Sequence, residues 1–122
     1  MERFEEFTIG GKNFIYIDLS DLKTSDAILK QTEAAKQMIA KYPQDSLYTI
    51  THVEGSIFDT QSKKIMEEYV KSNKPYVKYG AITGLDGIKK IMITNALKAG
   101  GRKNIYFALS KEQAIEWLLK QD

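Results

Sequence analysis

The sequence predicts one α/β domain: a mostly parallel five-stranded sheet flanked by helices, opening with a β-hairpin. Three observations carry this expectation. Short runs rich in β-branched and aromatic residues alternate with longer runs of helical spacing, and Gly, Ser, Asp or Pro stands at most of the junctions. The first two strand-like runs, Phe4 to Ile9 and Asn13 to Leu19, are separated only by Gly10-Gly11-Lys12, a turn that favours an antiparallel hairpin.

The second strand, with Phe14-Ile15-Tyr16-Ile17 continuously apolar, reads as covered on both faces and therefore central. Thr24-Ser25-Asp26 supplies cap oxygens for a first helix carrying Ile28, Ala35, Met38, Ile39 and Tyr42 until Pro43 stops it. Leu47 to Val53 is a third strand by its β-branched and aromatic content, and Asp59 caps a second helix with Ile65, Met66, Tyr69 and Val70 on one stripe. That helix ends at Ser72-Asn73-Lys74-Pro75. Val77 to Thr83 is the fourth strand, Gly87 to Ala99 the third helix with Gly100-Gly101 as its stop, and Asn104 to Leu109 the fifth strand. Ser110 with Gln113 reads as a capping box for a last helix burying Ala114, Ile115, Leu118 and part of Trp117. Right-handed crossovers are expected to put helices on both faces of the sheet.

Composition narrows the function classes. The 122 residues contain 18 Lys plus Arg against 16 Asp plus Glu, one His and no Cys, so zinc ribbons, thiolate catalysis and disulfide scaffolds are excluded. A net charge of +2 does not select nucleic acid, and 28% charged with 43% hydrophobic residues argues for a packed core, not disorder. The start, MERFEEFTIGGK, has no apolar run suited to a signal peptide or membrane anchor, and a cytoplasmic location is expected. No cofactor or metal is expected.

In parallel α/β domains ligands lie off the carboxyl ends of the strands, which here carry Asp18, His52, Thr83 and Asp86 as a candidate ligand site. Phosphoacceptor receivers need a Lys on the last strand end, where this chain has Ser110, and Asp18-Leu19-Ser20 is not the Asp-x-Asp start of a phosphatase. His52 with Ser56 and Asp18 or Asp21 could supply a Ser-His-Asp hydrolase, but no Gly-x-Ser-x-Gly elbow is present. Gly84-Leu85-Asp86-Gly87 lacks the Lys-Ser/Thr of a phosphate-binding loop and reads as a tight turn.

The element order, the block Lys78-Tyr79-Gly80-Ala81-Ile82-Thr83-Gly84-Leu85 and the closing Ser110-Lys111-Glu112-Gln113-Ala114-Ile115-Glu116-Trp117-Leu118 resemble the STAS fold of bacterial anti-sigma-factor antagonists, more closely its SpoIIAA-like branch. The resemblance spans nearly the whole chain. It implies a bacterial, regulatory, non-enzymatic binding module, with a partner protein or a homodimer. In those antagonists a regulatory serine follows an aspartate at the start of the helix after the third strand. The matching stretch here makes Ser56, Asp59 and Thr60 the candidate regulatory loop, with Gln61-Ser62-Lys63-Lys64 replacing the family's Ser-Gly-Leu-Gly.

The third helix is apolar around more than half its circumference. Ile88, Ile91, Met92, Ala96 and Ala99 share one face, Ile93 and Leu97 widen it, and Lys90, Thr94 and Lys98 form a narrow polar strip. Either a neighbouring helix covers Ile93 and Leu97 or, with Lys89, Lys90 and Lys98, they form an interaction surface for a protein, a second copy or a lipid. Residues 1–61 carry 6 basic and 10 acidic side chains, a balance of −4, whereas residues 62–122 carry 12 and 6, a balance of +6. Without aromatic interleaving in the basic cluster, nucleic acid is disfavoured. The expected function is protein-protein interaction, with a small apolar-ligand or lipid carrier as the alternative and a small hydrolase behind it.

Overall fold

A computed structural model describes residues 3–121. In chain order the elements are β1 (Phe4–Ile9), β2 (Lys12–Asp18), α1 (Ser25–Ile39), β3 (Leu47–His52), α2 (Thr60–Asn73), β4 (Val77–Thr83), α3 (Gly87–Ala99), β5 (Ile105–Phe107) and α4 (Lys111–Leu119). The sheet order is β1-β2-β3-β4-β5, with β1 antiparallel to β2 and every other pairing parallel. The mostly parallel α/β sheet with an opening hairpin is therefore as the sequence predicts, and β2 is paired on both sides.

Helices do lie on both faces, but three to one. Right-handed crossovers taken repeatedly in one direction along a sheet deliver every helix to the same side. Ile28, Ala35 and Ile39 of α1, Met66, Tyr69 and Val70 of α2, and Ile93 and Leu97 of α3 share a core with Ile15 and Ile17 of β2, Leu47 of β3 and Ile82 of β4. Period-two alternation sends Phe14, Tyr48, Ile50 and Ala81 to the opposite face, where Ala114 and Leu118 of α4 meet them, with Ile115 and Trp117 partly buried beside them. Aromatic rings extend that second layer: Phe7 stacks on Phe14 at 5.1 Å, Phe14 leans on Tyr48 at 5.6 Å, and Trp117 stacks on Tyr106 at 4.7 Å.

Both ends of α4 are anchored to the opening hairpin. Lys111 Nζ reaches Glu5 Oε1 at 2.8 Å and sits over the Tyr16 ring at 4.6 Å, while Lys12 Nζ donates to the carbonyls of Leu118, Leu119 and Gln121. The lysine thus fills the place of a C-terminal cap and complements the helix dipole. The N-terminal cap of α4 differs from the expected capping box. Ser110 Oγ accepts from Gln113 N at 3.1 Å, but Gln113 Oε1 reaches one residue further back, to Leu109 N at 2.7 Å. A reciprocal capping box is present on α2, where Asp59 accepts from Ser62 N and Ser62 Oγ accepts from Asp59 N, both at 2.8 Å.

Candidate functional site

The parallel register places Asp18, His52 and Thr83 side by side at the ends of β2, β3 and β4, all on the face that carries α4. His52 Nδ1 lies 2.8 Å from Thr83 Oγ1, and its Nε2 lies 3.6 Å from Glu54 Oε1. Asp18 is turned to its own loop, accepting from Ser20 N at 2.9 Å and from the Ser20 hydroxyl, with Arg3 4.0 Å away. Asp86 stands apart from these three. It is exposed and caps α3 by accepting from Lys89 N at 2.9 Å. Three of the four strand-end candidates are therefore adjacent, each with its polar atoms engaged locally. The parallel strands follow chain order without reversal, so no crevice of the kind that opens where strand order switches lies over them.

Ser56 is a structural residue in this fold. It is 5% exposed, its hydroxyl donates to the Leu19 carbonyl, and it accepts from Leu22 N at 2.9 Å. Backbone bonds from Leu19 N to His52 O (2.7 Å), Asp21 N to Glu54 O (2.9 Å) and Ile57 N to Leu22 O (3.0 Å) zip the same two loops together beyond the strands. Ser56 is accordingly placed neither to attack a substrate nor to receive a phosphate. Asp59 is the N-cap of α2, and its hydrogen bonds to Ser62 hold its carboxyl below the usual aspartate range. Thr60, the first residue of α2, is exposed, so within the loop triad only its hydroxyl is free of a structural assignment.

The interaction surface expected on α3 is rotated. Ile93 and Leu97, named as candidate surface residues, are 2% and 6% exposed and face α2 and the sheet; Ile88 and Ile91 are 75% and 65% exposed. The displacement is roughly one residue step, about 100° around the axis. Periodicity cannot orient a helix that is apolar on most of its circumference, and the packing against α2 decides it. Lys89, Lys90 and Lys98 remain at the surface or partly so, with Lys90 Nζ 5.3 Å from the centre of the Phe107 ring and Lys89 Nζ 5.9 Å from that of Phe58.

This rotation joins the two regions that the sequence kept separate. Ile57, Phe58 and Asp59 of the loop before α2 and Asp86, Ile88, Lys89 and Met92 of α3 line one open groove of about 480 Å³ between the N-terminal ends of the two helices. Its walls are mainly apolar, its rim carries both signs of charge, and exposed Ile88 continues toward Ile91. Sequence reasoning missed Ile88 and Ile91 as surface residues and gave Phe58 no role.

Among the described residues no cluster of three His, Cys, Asp or Glu side chains could hold a metal, and no helix is long and apolar enough to cross a membrane. No protein-family model matches the sequence, and no curated protein matches it.

Proposed function

We propose that the protein is a non-enzymatic binding module acting through protein-protein interaction, with the regulatory character of an anti-sigma-factor antagonist and a cytoplasmic site of action. The observation that carries this reading is the pair Ile88 and Ile91, exposed on α3 beside the groove that Phe58 and Met92 line. Apolar side chains gathered next to a concave surface are characteristic of an interface. The charged residues lining the groove are Asp59, Asp86 and Lys89, so the surface best fits a partner with an apolar ridge bordered by charges of both signs. Thr60 stands close to the groove, next to lining residue Asp59, where an added phosphate would make the rim more negative.

The two other readings have less support. An acyl or lipid carrier needs a pocket of roughly 300 Å³ or more between helices and sheet, whereas the cavity there measures about 30 Å³. A Ser-His-Asp hydrolase needs a free serine, and the Ser56 hydroxyl is committed to Leu19 and Leu22.

The test is a photo-crosslinking amino acid at position 91, activated in cells, with products identified by mass spectrometry and the purified protein run in parallel by sedimentation velocity. One dominant protein adduct, lost in the Ile88→Glu variant, is expected. A self-adduct together with a sedimenting dimer would make the partner a second copy. Labelling no stronger than from the exposed control position Lys41 would overturn the proposal.

A further inference from the structure

Between the sheet and helices α2 and α3 lies a small, mainly apolar cavity into which one group of polar side chains is set. Thr49 and Thr51 of β3, Tyr69 and Asn73 of α2, and Arg102 after α3 face it, and its volume is about 30 Å³. That is room for about two water molecules, or for a planar group of three or four atoms. Tyr69 and Asn73 are 3% and 5% exposed and lie beside each other and Thr51, yet neither the Tyr69 hydroxyl nor Asn73 Oδ1 has a hydrogen bond of normal geometry among the described residues. Buried polar atoms are almost always well paired, so two poorly paired ones lining one cavity leave hydrogen-bonding capacity that a small polar group could use.

Arg102 gives that group its charge. A Schellman turn ends α3, with Arg102 N bonded to Leu97 O at 2.8 Å, Gly101 N to Lys98 O at 3.1 Å and Gly101 at φ 71°, and it fixes where the arginine leaves the chain. One guanidinium nitrogen, Nη1, donates to Val70 O at 3.3 Å. No described carboxylate lies within ion-pair distance of it. Burial pulls Arg102 below its ordinary pKa, and the neighbouring Tyr69 offsets this only in part. Gly80 forms the floor: a Cβ there would come within 2.9 Å of both Thr49 Oγ1 and Ile105 Cδ1 and 3.8 Å of Arg102 Nη2. A glycine inside a strand marks such close approach. Arg102 also lines an open cleft of about 340 Å³ with Lys74, Lys78 and Lys103, where Asp45 is the single acidic wall residue. A cationic vestibule thus leads to a guanidinium that has no counter-ion.

We propose that this cavity is a binding site for a small oxyanion of formate or nitrate size, admitted past Arg102 from the lysine-lined cleft. Arg102 supplies charge and paired donors, the Tyr69 hydroxyl and the threonine hydroxyls supply further donors, and Asn73, turned about its amide, presents Nδ2 instead of an unpaired oxygen. This site shares no lining residue with the interaction groove and stands independently of it.

Amide and arginine side-chain resonances of the ¹⁵N-labelled protein are followed during titration with sodium formate and sodium nitrate, against sodium chloride at constant ionic strength. Saturable shifts confined to Gly80, Asn73 and Arg102 are expected, absent with chloride. Arg102→Gln should abolish saturation. Because that variant removes a packed side chain, Tyr69→Phe provides the decisive comparison. It should weaken binding about tenfold while leaving anion-free stability unchanged or higher, since the hydroxyl it deletes makes no hydrogen bond of normal geometry. Non-saturable shifts, equal shifts with chloride, or unchanged affinity in Tyr69→Phe would each overturn the proposal and leave water as the occupant.

Discussion

Replacing Ser56 by Ala separates a structural hydroxyl from a reactive one. In the folded protein this hydroxyl bridges two loops, accepting from Leu22 N at 2.9 Å and donating to the Leu19 carbonyl, with Leu19 and Leu22 only 2% and 5% exposed. The alanine variant leaves a buried N–H with no acceptor, at a cost of about 1–3 kcal/mol, so about 2 kcal/mol is expected. With an unfolding entropy of roughly 2 cal/mol/K per residue, this lowers Tm by about 8 °C, and the urea midpoint falls by about 1 M. The assay is urea unfolding followed by circular dichroism and Trp117 fluorescence, with Thr60→Ala as a control on the same loop expected to stay within about 0.5 kcal/mol. A Ser56→Ala loss below about 0.5 kcal/mol would refute the reasoning and return Ser56 to the candidate nucleophiles.

Leu97→Ala should cost about 2–4 kcal/mol by opening a cavity between α2 and α3, and Leu97→Glu should abolish cooperative unfolding; a native dichroism spectrum for the glutamate variant would put Leu97 back on the surface. Tyr69, Tyr42 and Tyr16 should ionise late in a spectrophotometric titration, because burial raises all three, Tyr42 to about 12 with help from its hydrogen bond to Glu6. Their unfolded forms ionise near pH 10, so the stability they contribute is complete below that value and is lost as pH rises toward the folded values; ionisation of all seven tyrosines in one step near 10 would contradict this.

The architecture was legible because its signals are local. Gly10-Gly11, Thr24, Asp59 and Ser110 mark turns and caps that act within a few residues, and each stands where the sequence places it. The orientation of α3 was not legible, since residues with apolar side chains at nearly every angle leave the inward face to be chosen by α2. The groove depends on that same choice, because Phe58 and Ile88 are thirty residues apart and meet only through the packing of two helices. The oxyanion site escaped for another reason. Thr49, Tyr69, Gly80 and Arg102 come from four segments and share no spacing; the one available signal was Gly80, a glycine inside an otherwise β-rich strand.

Chain order and spatial order coincide throughout the sheet, so each strand pairs with its nearest predecessor and only modest loops need to close. The exception is α4, whose anchors to Glu5 and Lys12 span 106 residues or more. During synthesis from the N-terminus, α4 emerges after all five strands. Until it docks, the rings of Phe7, Phe14, Tyr48 and Tyr79 form an uncovered aromatic surface on a nearly complete sheet. Truncation before Ser110 should therefore yield a chain that keeps its strands and self-associates through that face. Docking of this short helix thus acts as the step that closes the adhesive face of a nascent intermediate.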